Sequence, residues 1–216
     1  MKKLFLLLAG LLCFFYVSYA QAASDNNNDK DDIVYTGNPF ILKDWVDGIV
    51  RYAGGRTLTQ TQLKYDCARN LLMLQYKGTT FSAEGKVFEF VLLVKRGKNT
   101  DSMVFRKGYP VIDDQNNETF YQILTAGKAT LLKLFQKKIK EEKQLVGGKL
   151  YRRLEDFEYY YLLNDSNMVL LPDDKNKIAE KFGEKSSAIA QFISTQQLKM
   201  RTDQDFIAVV KKYNEL

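Results

Sequence analysis

Residues 157–161 read Phe157-Glu158-Tyr159-Tyr160-Tyr161, and their spacing decides what they can do. On an extended strand alternate side chains share a face, so Phe157, Tyr159 and Tyr161 form one row and Tyr160 points the other way. A row of rings can stack on sugars or line a groove. The same residues are ordinary strand formers that pack across a sheet. Phe157, Tyr159 and Tyr161 are therefore the candidate ligand or partner surface. A second candidate lies in Val87–Val94, which is nearly apolar on both faces, with Phe88, Phe90 and Leu92 on one and Val91 and Leu93 on the other. Such a strand is covered on both sides and runs mid-sheet. Alternatively Phe88, Phe90 and Leu92 line an apolar cavity for a lipid-like ligand.

Catalytic chemistry is narrowed by an absence. The chain has no histidine, which excludes Ser-His-Asp and Cys-His nucleophiles and histidine-ligated zinc, copper or haem. No Ser-x-x-Lys pair occurs, so a serine–lysine hydrolase has no footing. The acidic pairs Asp113-Asp114 and Asp173-Asp174 are adjacent in sequence, whereas a glycosidase needs two carboxylates roughly 5–10 Å apart across a sugar. Asp113-Asp114 runs into Gln115-Asn116-Asn117, a turn composition, and Asp173 reads as a helix cap. Cys67 reads as a semi-buried thiol at a strand end, without a neighbouring base. Asp25, Asn27, Asp29 and Asp31 alternate like a calcium loop, but the turn glycine is missing and Thr36 stands where a bidentate Glu belongs. Gly54-Gly55 and Gly147-Gly148 are turns, without the strand–glycine–helix context of a phosphate loop. Lys133, Lys137, Lys138, Lys140 and Lys143 fall on both faces of a strand, diluted by Glu141 and Glu142, and read as a solvated edge that discourages strand pairing. No cofactor or metal is expected and the chain is read as non-catalytic.

The elements that would carry these residues begin after a leader. Lys2 and Lys3 precede an apolar run from Leu4 to Val17, and Ala20-Gln21-Ala22 gives signal-peptidase spacing, with cleavage after Ala20 or Ala22. The run is too short to span a membrane. Cys13 leaves with it, so Cys67 has no partner for an intramolecular disulfide, and the mature domain must rely on its core. Residues 1–22 are thus a signal peptide and 23–36 a disordered, asparagine-rich spacer. The formal net charge of +6 includes Lys2 and Lys3. Export makes nucleic acid an improbable partner and leaves an envelope protein, glycan or lipid.

Residues 37–171 form an antiparallel β domain. Apolar residues recur at period two: Val46, Val50 and Tyr52; Thr59, Thr61, Leu63 and Tyr65; Leu72, Leu74 and Tyr76; then Met103, Phe105 and Phe120. Turns fall at Ala53-Gly54-Gly55-Arg56, Ala126-Gly127-Lys128 and Asn164-Asp165-Ser166-Asn167. Residues 129–143 fit a helix face through Leu131, Phe135 and Ile139, but are read as a long strand. The period changes over 172–216. Ile178 and Phe182 before Gly183, then Ile189, Phe192 and Ile193, then Phe206, Val209, Val210 and Tyr213 behind a Thr202–Asp205 cap, predict three short helices. The fold class is α+β: an antiparallel β-meander or curved, barrel-like sheet followed by three short C-terminal helices packed on it.

Gly37-Asn38-Pro39-Phe40-Ile41, Trp45-x-x-Gly48, Leu63-Lys64-Tyr65-Asp66, Gly108-Tyr109-Pro110-Val111-Ile112-Asp113, Phe120-Tyr121-Gln122-Ile123-Leu124 and Val210-Lys211-Lys212-Tyr213-Asn214 occur in that order. Together they resemble a set of small exported proteins of Bacteroidota. The resemblance covers most of the mature chain and brings no activity or catalytic residue with it. It implies export from a Gram-negative cytoplasm, to the periplasm or cell surface, and a strand-then-helix layout. Two functions follow as expectations: a non-catalytic binding or scaffold protein of the envelope, or a periplasmic carrier of an apolar ligand in a half-barrel cavity.

Overall fold

The computed structural model describes residues 33–83, 86–143 and 150–216. The signal segment, Cys13, Gly147-Gly148 and most of the acidic spacer with its calcium-like alternation lie outside the described residues. In chain order the strands are β1 (Ile33–Thr36), β2 (Val46–Tyr52), β3 (Thr57–Asp66), β4 (Leu71–Tyr76), β5 (Thr79–Ser82) and β6 (Val87–Arg96), followed by β7 (Asn99–Arg106), β8 (Tyr121–Thr125), β9 (Ala129–Lys143), β10 (Leu150–Asn164) and β11 (Asn167–Leu170). Helices follow: α1 (Lys175–Ile178) running into a 3₁₀ stretch (Ala179–Lys185), then α2 (Ser186–Thr195) and α3 (Asp203–Glu215).

β2 and β6 lie side by side, and two meanders grow outward from them, through β3, β4 and β5 on one side and β7, β8, β9 and β10 on the other. The pairings among β2 to β11 are all antiparallel, and the strand path is open, with β5 at one end. The α+β meander is as expected, and it is not closed into a barrel. Residues 129–143 are strand, not helix: β9 pairs with β10 along its whole length.

Several local expectations are corrected. Residues 33–36, assigned to the spacer, form β1, parallel to Leu150–Arg153. Gly37 follows at φ +109°, where a Cβ would press on Leu154, so only glycine turns the chain off this edge. β5, with no apolar alternation, forms because Lys77-Gly78 closes a tight hairpin onto β4. Asp174, not Asp173, caps α1, accepting from the Asn176 amide at 3.0 Å. β10 pairs with β9 along its whole length, but β8 pairs with it only over residues 131–133, so among the described residues the lysine run beyond Lys133 has a strand on one side alone and stands at an edge, as expected. The Thr202 cap is as expected, its hydroxyl accepting from the Asp205 amide.

One face of the sheet holds two apolar clusters. The first is aromatic: Tyr65, Phe90, Phe105 and Phe120, with Val50, Leu63, Leu72, Leu74, Leu92 and, at its rim, Phe135. Gly48 is required here, since a Cβ would run into the Leu63 side chain and the Val91 carbonyl. In the second, Ile178, Phe182, Ile189, Phe206, Val209, Val210 and Tyr213 from the helices cover Ala129, Leu131 and Leu162. The short helices gain stability from this burial rather than from their own length. A third, smaller cluster on the opposite face joins Tyr121, Leu132, Leu134, Tyr161 and Met168 to Tyr109 and Ile112.

Candidate functional site

β9 and β10 register Tyr161 against Leu132, Tyr159 against Leu134 and Phe157 against Gln136. Directly paired residues share a face, so these three rings form a row, as their spacing implies. The row is graded. Phe157 is 36% exposed and Tyr161 only 3%. The Phe157 and Tyr159 rings lie nearly parallel, 11° apart with centroids 6.4 Å from each other. The Lys138 ammonium is 5.1 Å and 5.3 Å from the two centroids and donates to the Tyr159 hydroxyl at 2.9 Å. Tyr161 instead meets Tyr121 edge-to-face at 5.4 Å, and Tyr121 meets Tyr109 at 5.7 Å. Burial, with help from the Asp113 carboxylate, pushes the Tyr161 phenol up to about 12. The candidate surface therefore reduces to Phe157 and Tyr159 under Lys138, and Tyr161 belongs to the core.

The residues expected to line a cavity separate. Between Arg51 and Tyr52 the β2–β6 register slips, so that Glu89 opposes Arg51 while Val87 opposes Tyr52. Phe88 is the extra residue of this bulge and is 37% exposed, while Val87 turns inward. Phe90 and Leu92 are fully buried. Phe90 stacks on Phe105 at 4.8 Å and meets Phe120 at 5.0 Å and Tyr65 at 5.1 Å, so side chains fill the space over these strands.

The opposite face of β9–β10 carries a buried polar knot that alternation alone did not reveal. Lys133 lies on the face that carries the first two clusters, between Leu131 of one and Phe135 of the other. Its ammonium reaches Glu158 at 2.8 Å and Asp203 at 2.9 Å and sits 4.7 Å from the Phe135 centroid. Tyr160 donates to the same Asp203 oxygen at 2.6 Å and stacks on Phe206 at 3.9 Å. Burial and this carboxylate push the Tyr160 phenol up. Glu158 and Tyr160 come from β10, Lys133 from β9 and Asp203 from the first turn of α3, so the knot joins helix to sheet. Asp203 at that helix start is also favourably placed for the helix dipole. A comparable lock stands on the other face, where buried Glu89 receives both Arg51 and Arg106.

Cys67 is buried just after β3, its thiol against the Pro39 carbonyl at 3.3 Å, and burial pushes it up to about 11. It is a protonated packing residue at neutral pH, as its context implies. Asp113, Asp114 and Asp173 are exposed. Among the described residues no group of three His, Cys, Asp or Glu side chains is arranged to hold a metal ion, and no helix is long and apolar enough to cross a membrane.

One further site was missed. Leu42–Trp45, the loop leading into β2, forms the wall of a cleft of about 340 Å³ whose other lining residues are Val46, Asp47, Gln62, Leu93, Val94 and Lys95. Its floor comes from three strands and is visible only once their register is known: Asp47 opposes Gln62 on β3 and Leu93 on β6. The only sequence signal is the single tryptophan flanked by Asp44 and Asp47. No family model, no curated protein and no solved structure matches the chain.

Proposed function

We propose that this chain is an exported, non-catalytic binding protein of the cell envelope that engages its partner through Phe157 and Tyr159 on the β9–β10 pair. One observation carries the reading. These two nearly parallel rings, Phe157 exposed and Tyr159 half-buried, stand on one face of a strand pair whose other face is committed to the knot around Lys133. A ring pair with an ammonium beside it suits a partner that offers an apolar or C–H-rich face next to an acceptor, as envelope glycans and proteins do. The signal-peptide pattern of residues 1–22 supports export. A carrier of an apolar ligand would need room where Phe90, Phe105, Phe120 and Tyr65 stand in contact, whereas a surface binder needs none.

The test is co-sedimentation of the mature protein with envelopes isolated from its own host. The reading expects saturable binding that falls at least about tenfold, roughly 1.4 kcal/mol, in Phe157→Ser/Tyr159→Ser. Equal binding by that variant, or no binding by the unaltered protein, would overturn it.

A further inference from the structure

We propose that the cleft beside Trp45 is a second binding site, and that its ligand is a neutral saccharide of one or two rings. Its volume of about 340 Å³ lies at the low end of the roughly 300–1,000 Å³ of small-ligand sites, which limits the ligand to that scale.

The lining selects the chemistry. Lys43 and Lys95 are balanced by Asp44 and Asp47, so the cleft carries no net charge and gives a phosphate or an acidic sugar no advantage. Trp45 supplies a flat π-face suited to the C–H face of a pyranose. Lys64, 5.8 Å from the indole centroid and 4.4 Å from that of Phe40, steadies the ring. Gln62 offers a donor and an acceptor side by side, and Asp44 a carboxylate. Neither side chain has a hydrogen-bond partner among the described residues, so both are free to take hydroxyl groups. Asp47 is held only by Lys95, at 3.3 Å, with both side chains more than half exposed. An ion pair of that kind opens at little cost. Leu42 and Leu93 close the remainder with apolar surface. Lone charges would exclude a lipid chain, and a purely polar cleft would not hold a sugar against water. Here both elements are present.

Trp45 is the only tryptophan, so its emission reports on this cleft alone. The full mature protein would be titrated with maltose, cellobiose, xylobiose and N,N′-diacetylchitobiose, with inorganic phosphate as comparator. A saturable emission shift with at least one disaccharide is expected. It should weaken at least about tenfold in Asp47→Ala/Gln62→Ala. Both residues are exposed, and Asp44→Ala on the loop is a second variant should the strand changes perturb folding. Phe157→Ser/Tyr159→Ser should leave the shift unchanged, which separates this site from the surface on β10. No shift with any disaccharide up to roughly 10 mM, a response to phosphate in their place, or a shift that survives all the cleft variants would overturn the proposal.

Discussion

Lys133 and Lys138 stand on the same strand, β9, and face opposite ways. Lys133 is buried, with two carboxylates and a ring around its ammonium. Lys138 is exposed, lying over two rings and bonded to one hydroxyl. The strand opposite repeats the division in milder form: Tyr160 is tied to Asp203 and stacked on Phe206, while its neighbour Tyr159, half-buried on the other face at the margin of the third cluster, lies beside Phe157. The difference teaches which interactions hold the fold and which are left for a partner. A charge or phenol taken out of water must be fully satisfied, and removing one member strands the others. A cation over exposed rings contributes little to stability and is free to rearrange on binding.

The largest effect should come from breaking the buried side. Phe90→Ala, which empties the centre of the aromatic cluster, should cost about 3–5 kcal/mol in urea unfolding. Lys133→Ala removes the buried member of the knot, but Glu158 and Asp203, with side chains 47% and 32% exposed, stay open to water, so it should cost less, about 1–3 kcal/mol, by the same measurement.

A smaller effect sharpens the contrast through pH. In the folded chain burial raises Cys67 from 9.0 to about 11 and pushes Tyr65 and Tyr160 above their usual 10.0. Above those ordinary values the unfolded chain has released protons that the folded chain still holds, so unfolding is favoured. The stability these neutral groups contribute is complete below pH 9 and declines as pH rises through 11. Cys67→Ala should remove the part of the decline that begins near 9 and leave the tyrosine part that begins near 10. Urea midpoints followed from neutral to alkaline pH check both. The smallest effect is expected on the open side, where Lys138→Ala should change stability by less than about 1 kcal/mol.

The legible part of this molecule is what local pattern controls. Period-two runs marked the strands from Val46 to Leu171 other than β5, including β9 over its ambiguous stretch, and Thr202 with Asp205 marked the start of α3. What escaped depends on register. Phe88 would have joined Phe90 and Leu92 but for a one-residue bulge, and a single extra residue reverses which side chains face the core. Tyr161 shares a face with Tyr159 as expected, yet its exposure is decided by Tyr109 and Ile112, far away in sequence, packing on that end of the row. The knot around Lys133 draws on β9, β10 and α3, and the Trp45 cleft on three strands and a loop. No spacing within one segment encodes either. β1 escaped because four residues at the end of a polar stretch carry no period of their own.

Tyr159 and Tyr160 are chain neighbours with the same side chain on opposite faces of β10, so the urea unfolding free energies of Tyr159→Ala and Tyr160→Ala test the division of the strand pair most directly. The account predicts a loss of about 1–2 kcal/mol for Tyr159→Ala, whose ring is half-buried at the margin of the third cluster. For Tyr160→Ala it predicts at least about 2 kcal/mol more, from the lost stacking on Phe206 and the lost bond to Asp203. Equal losses, or a larger loss at Tyr159, would contradict it.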